Sequence, residues 1–211
     1  VTRTVSVVEN ILGANDRLAD TNRKILDDSG TYAVNFMASP GAGKTSVILK
    51  TVEMLKDKYR IGGIDGDVAT TIDADRMAAS GIPAVQINTG GTCHLDAVML
   101  SGALPKLDLE NIDLLIIENV GNLICPASFR IGSHLDVLIA SVPEGDDKPY
   151  KYPKMYRGVH AVLLNKIDTL PYFDFDVDYF RKGVEALNPG LAFFPVSAKT
   201  SEGFEEYIRW L

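Results

Sequence analysis

The chain predicts a doubly wound α/β fold, with a mostly parallel central sheet and helices on both faces. Three observations predict it. Short apolar runs suited to buried strands alternate with stretches of helical spacing. A glycine-rich loop joins the first such run to the first strong helical pattern. The polar motifs stand where apolar runs end, which in a parallel sheet is the ligand-binding edge. At 211 residues and 46% apolar content, the chain suits one body with a sizeable core. A net charge of −7 argues against a nucleic-acid partner, which would favour a basic face. With no run of eighteen apolar residues and no signal peptide, a soluble cytoplasmic protein without membrane association is expected.

Taken in order, Val8, Ile11, Leu12, Leu18 and Ile25 recur at roughly helical spacing, so residues 1–29 read as an N-terminal helical extension before a nucleotide domain over 30–211. Strands are expected near 32–38, 60–65, 84–88, 113–119, 136–142, 159–165 and 192–196. Helices are expected near 44–57, 72–80, 93–103, 176–187 and 202–210. The stretch from Glu144 to Tyr156, rich in proline, tyrosine and charge, reads as the longest surface loop.

Behind the first strand comes Ala38-Ser39-Pro40-Gly41-Ala42-Gly43-Lys44-Thr45, a P-loop with alanine in its first glycine slot. Gly41 and Gly43 let the backbone wrap a phosphate, with Ala42 and Ser46 beside it, so that N–H groups and the helix start point at the anion. Lys44 adds a positive charge near the outer phosphates, and Thr45 offers its hydroxyl to Mg²⁺. After the second strand, Asp67 and Asp73 are candidates for a first switch, holding Mg²⁺ or ordering the attacking water. An acid at a helix start is also favoured by the dipole without catalytic duty.

The strand over Asp113–Glu118 ends in an acid that should face Mg²⁺ and the terminal phosphate. Gly121 follows, where a backbone N–H can meet that phosphate and be released on hydrolysis. No glutamine follows Gly121, so intrinsic turnover should be slow. The base reads as guanine. Asn165-Lys166-Ile167-Asp168 closes a buried run, and the Asp168 carboxylate can accept from both N1–H and the exocyclic amine, whereas adenine has no N1–H. Lys166 would lay its stem on the ring, and Asn165 would tie this loop to the phosphate loop. Ser197-Ala198-Lys199 supplies the second loop around the base. The set describes a Mg²⁺-dependent GTPase binding GTP and GDP.

Both cysteines of the chain form a second constellation with a histidine: Cys93-His94 and Cys125. Thr92 reads as the cap of a helix whose first turn carries Cys93 and His94, a position that lowers a thiol's pKa and favours metal-binding thiolate. Two sulfurs and a nitrogen suit Ni²⁺ or Zn²⁺. Three ligands do not close a tetrahedral structural site, so water or a second copy of the chain completes it. The competing account is two ordinary buried cysteines. His134 and His160, near strand starts, read as structural.

Asn88 to Ala97, Glu118 to Ala127 and Val142 to Pro149 resemble the HypB hydrogenase nickel-incorporation GTPases over essentially the whole chain. The resemblance implies a SIMIBI-class GTPase that helps deliver nickel to the large-subunit precursor of [NiFe]-hydrogenase with a HypA-type nickel protein. It also implies a nucleotide-favoured homodimer, with metal held at the interface by Cys93, His94 and Cys125. The Cys-x-x-Cys-Gly-Cys segment and histidine-rich stretch of some members are not in this sequence. A urease-type nickel chaperone GTPase would show Cys-Pro-His where this chain has Cys93-His94-Leu95. A signalling GTPase with structural cysteines is the alternative from another class. In the working mechanism GTP and Mg²⁺ tighten the loops at Asp67 and Glu118 and shift Cys125 relative to Cys93 and His94. Such couplings are typically about 1–3 kcal/mol.

Overall fold

A computed structural model describes residues 7–67 and 72–211. It contains seven parallel strands in one sheet: β1 (Tyr32–Ala38), β2 (Ile61–Asp67), β3 (Ala84–Asn88), β4 (Leu114–Glu118), β5 (Leu135–Ser141), β6 (Ala161–Asn165) and β7 (Ala192–Pro195). Their order across the sheet is β3-β2-β4-β1-β5-β6-β7. Every residue of β4 and β6 is buried, as strands covered on both faces by crossover helices must be. The expected doubly wound architecture is therefore present.

Alternation along β1 divides the core. Val34, Phe36 and Ala38 face α2 (Lys44–Leu55) and α8 (Phe204–Trp210), with Val47, Ile48, Val52, Phe204 and Tyr207 opposite them. Ala33 looks the other way, toward α1 (Val7–Ser29) and α4 (Ala97–Ala103), where Leu26 and Leu100 pack. Met37 meets a neighbouring cluster built on Met155, Tyr156, Phe180 and Val184, from α6 (Pro153–Arg157) and α7 (Val177–Leu187). The remaining helices are α3 (Ile72–Ala79) and α5 (Lys148–Lys151).

The N-terminal segment is helical over Val7–Ser29 and is bolted to the body by two buried asparagines. Asn15 donates to the Arg130 carbonyl at 2.8 Å and accepts from the Ala97 N–H at 2.9 Å. Asn22 donates to the carbonyls of Ala97 at 2.8 Å and Ile131 at 3.0 Å. Residues 1–6, and the side chain of Val8 in the first turn, lie outside what the structure describes.

Three expectations change. The helix expected over 93–103 starts only at Ala97, capped by Asp96, whose Oδ1 accepts from the Met99 N–H at 2.8 Å. Thr92 therefore caps no helix, and Cys93 and His94 lie in the preceding turn, without the dipole expected to depress the thiol. Leu95 explains the delay: its buried side chain packs beneath Gly66, and its N–H is taken by Asn119 Oδ1 at 3.0 Å. The stretch from Glu144 to Tyr156 is not a surface loop, because Pro149, Met155 and Tyr156 are buried and draw the chain into α5 and α6. Finally, β2 runs two residues past its expected end to Asp67, placing Asp65 within the sheet beside Glu118.

Candidate nucleotide and metal site

The carboxyl ends of β1, β2, β3, β4, β6 and β7 lie along one edge of the sheet, where ligands of open α/β sheets bind. A cavity of about 340 Å³ is lined there by Ser39 to Gly41, Gly43 to Ser46, Gly66, Asp67, Asp73, Arg76 and Gly121. It adjoins a second of about 320 Å³, lined by Gly43, Ser46, Asn165, Lys166, Asp168, Ala198 and Lys199. Gly43 and Ser46 border both, so the two spaces together suit a phosphate chain and a base.

Within the phosphate loop, Gly41 and Gly43 hold φ of 80° and 91°, the left-handed region where a side chain is strained. A Cβ on Gly43 would also come within 2.6 Å of the Asn165 amide nitrogen. That amide donates to the Ala42 carbonyl at 2.9 Å, and Asn165 Oδ1 accepts from the Ala198 N–H at 3.1 Å, so one residue ties three loops. Lys166, itself left-handed at φ 63°, reaches the Gly41 carbonyl at 2.6 Å. Ser197 is fully buried and donates to Asp168 Oδ1 at 2.7 Å, holding that carboxylate at the mouth of the second cavity.

Glu118 Oε1 accepts from Lys44 Nζ at 2.5 Å and from the Thr45 hydroxyl at 2.8 Å, while buried Oε2 has no partner. Its register neighbour Asp65 is also buried with an unpartnered Oδ2. Burial first, and the Glu118 carboxylate second, push the Asp65 carboxyl up to about 7. Asp67 and Asp73 add further negative charge to Asp65's surroundings. Two orphaned acid oxygens and this excess of negative charge fit a divalent cation held by oxygens. Thr45, Asp67, Asp73 and Glu118 are the candidate holders.

The loops after β3 and β4 bring both cysteines and the histidine together. Cys93 Sγ lies 2.9 Å from Cys125 Sγ and 4.0 Å from His94 Nδ1, and the three donor atoms fall within 4.8 Å of one another. The hydrogen bond from Cys93 chiefly, then burial, raises the Cys125 thiol, and the Asn122 amide opposes this. Burial lowers His94 against the opposing charge of Asp96, which favours the neutral ring that a metal ligand requires. Phe129 stacks on that ring at 4.0 Å between centroids. His134 and His160 lie elsewhere: their Nδ1 atoms accept from the backbone N–H groups of Ala33 at 2.9 Å and Asp136 at 3.0 Å.

Sequence reasoning missed Asp65, Arg76, Asn119, Asn122, Phe129 and Glu144. Arg76 lines the phosphate cavity and pairs with Asp73 at 3.3 Å. Glu144 accepts from Ser39 of the phosphate loop, and from Ser141 at 2.8 Å. Only the run Glu118 to Cys125 carried a signal for Asn119 and Asn122, through their place between an acid and a thiol.

The CobW/HypB/UreG nucleotide-binding domain family matches residues 33–195. A hydrogenase maturation factor HypB of Azotobacter vinelandii is 46% identical over 99% of this chain and 69% of its own length. The crystal structure of hydrogenase maturation factor HypB from Archaeoglobus fulgidus superposes with a TM-score of 0.87 at 40% identity, covering 94% of this chain and 97% of that one. The crystal structure of HypB from Helicobacter pylori in complex with nickel gives 0.88 at 39% identity, covering 93% of each chain.

Proposed function

We propose, from the premise that this chain belongs to the HypB hydrogenase maturation factors within the CobW/HypB/UreG nucleotide-binding family, that it is a GTP-hydrolysing metallochaperone. It takes nickel as cargo, with zinc as competitor, for insertion into the [NiFe]-hydrogenase large-subunit precursor. It works in the cytoplasm as a GTP-favoured homodimer through the metal-site face, with a HypA-type nickel protein.

One observation supports this reading above the rest. The loop leaving Glu118, whose carboxylate meets Lys44 and Thr45, runs directly to Cys125, and Cys125 meets Cys93. Nucleotide sensing and metal holding therefore share a short stretch of backbone. Asp168 would read guanine, oriented by Ser197, while Lys44 would leave Glu118 for the outer phosphates. When bound, Mg²⁺ would neutralise phosphate charge, with Thr45, Asp67, Asp73 and Glu118 holding it. Gly121 would offer its N–H to the terminal phosphate. The soft donors Cys93 and Cys125 with neutral His94 suit Ni²⁺ or Zn²⁺.

The test is a pair of titrations. Guanine nucleotides should bind and adenine nucleotides should not, with Lys44→Ala abolishing binding or hydrolysis. Ni²⁺ and Zn²⁺ affinity should fall in Cys93→Ala and Cys125→Ala by at least the roughly 10–100-fold that losing a mere outer-shell partner of a metal ligand costs. Metal affinity untouched by either cysteine change would support the signalling reading instead.

A further inference from the structure

Asn122 is bonded to the nucleotide side and to both halves of the metal cluster. Its N–H donates to the carbonyl of Ala38, at the start of the phosphate loop, at 2.8 Å. Its side-chain Nδ2 donates to the Cys93 carbonyl at 3.1 Å. Its Oδ1 accepts at 2.8 Å from the N–H of Ile124, the residue before Cys125. Gly121, immediately before it, lines the phosphate cavity, where a Cβ would press to 3.4 Å from the Pro40 backbone.

Asn119, three positions earlier, behaves differently. Its N–H is held by the Phe36 carbonyl of β1 at 3.0 Å, and its Nδ2 by Asn35 Oδ1 at 3.2 Å. Its Oδ1 holds the N–H groups of Leu95 at 3.0 Å and Val120 at 2.9 Å. Asn119 is 1% exposed and Leu95 is fully buried, so both are pinned to the sheet. The segment beyond Asn119 and the turn before Leu95 thus each leave a fixed point of the sheet, and each carries a thiol: Cys125 after Asn119 and Cys93 before Leu95. Besides the thiol contact and the Phe129 stack on His94, the Asn122 amide joins the two segments, and of these links it alone belongs to the residue next to Gly121.

We infer that Asn122 is the positioning residue that converts movement of Gly121 at the phosphate cavity into a changed spacing of Cys93 and Cys125. This rests on the nucleotide-coupled metal reading and names the atom pair that transmits it. When Gly121 shifts, Asn122, tethered at its N–H to Ala38, pivots about that anchor. Its Oδ1 takes Ile124 and Cys125 along, and its Nδ2 draws the Cys93 carbonyl about the pinned Leu95.

The rival role for Asn122 is a local turn: the Oδ1 bond to Ile124 is an Asx-type contact that stabilises the loop alone. Two substitutions separate the roles. Asn122→Ala removes both of these side-chain bonds together with the amide's bond to the Cys125 thiol. Asn122→Asp keeps an oxygen for the Ile124 N–H but has no donor for the Cys93 carbonyl. Asn122 is half-buried on a loop, so both variants should fold. The measurement is Zn²⁺ affinity of the full chain with GDP and with a non-hydrolysable GTP analogue, expressed as their ratio. The added carboxylate of Asn122→Asp acts on the metal in both nucleotide forms, so Asn122→Ala, which adds no charge, is read beside it. The wild-type ratio should lie in the range of about 5–150-fold typical of coupled sites, and both variants should bring it within about twofold of one. A wild-type ratio surviving in Asn122→Asp would overturn the inference and leave the proposed function intact. Loss in Asn122→Ala alone would likewise assign Asn122 to the turn. A wild-type ratio of one would overturn both the coupling and this residue's part in it.

Discussion

At the scale of single residues, the centre of the site is a pair of acids that β2 and β4 set side by side. Glu118 is answered by Lys44 and Thr45, whereas buried Asp65 meets that same carboxylate without a cation of its own. Its carboxyl is therefore raised to about 7 from an ordinary value of 3.8. Between these two pH values the folded chain keeps a proton that the unfolded chain has released, so stability falls as pH rises through that window. Asp65→Asn should flatten this slope by up to about 1.4 kcal/mol per pH unit in the nucleotide-free, metal-free protein. Urea unfolding of both proteins at several points from pH 4 to 7 measures the difference, and identical slopes would mean that Asp65 ionises normally.

At the scale of elements, the telling packing is α1 against the segment before β5. Gly132 has a φ of 104°, and a Cβ there would stand 2.6 Å from the Ala19 carbonyl oxygen and 2.8 Å from the Asn22 Cβ. Asn22 and Asn15 close their bonds to Ile131, Arg130 and Ala97 only because the helix lies so near. Gly132→Ala should therefore cost more than about 1 kcal/mol, combining backbone strain with displacement of α1. Faster amide exchange along Asn15–Leu26 should accompany the loss, whereas unchanged exchange and stability would show that the contact yields. Because Ala97 begins α4 just after the Cys93 turn, α1 also buttresses one half of the candidate metal cluster.

At the scale of the whole molecule, the three candidate donors would leave a tetrahedral metal site open, and Ile124 beside Cys125 is 64% exposed. An apolar side chain beside an open metal site fits closure by a second chain. Sedimentation with bound metal quantified should find a larger species retaining metal with the GTP analogue and a smaller one with GDP. Metal retained by a monomer in both forms would assign the open position to water. Among the described residues no helix is long and apolar enough to cross a membrane.

Much of this was legible in the sequence because the phosphate loop and the run Asn165 to Asp168 announce themselves by residue type and short spacing, even though Lys44 and Thr45 bond to Glu118 and Asn165 bonds to Ala42 from distant parts of the chain. The grouping of Cys93, His94 and Cys125 was legible for its rarity, as the chain has only 2 cysteines. The start of α4 was not legible, because Leu95 gives its N–H to Asn119, 24 residues away. Nor was the helical run over 148–157, whose Met155 and Tyr156 belong to a core shared with Phe180.

The sequence by itself determined the alternating fold, the phosphate and base loops and the three soft donors, since each follows from residue type and short spacing. Only the tertiary structure decided that Asp65 lies against Glu118, that Phe129 stacks on His94 and that Asn122 joins Ala38 to Cys93. Those contacts arise from parallel strands out of chain order, which place side by side residues that no local pattern connects.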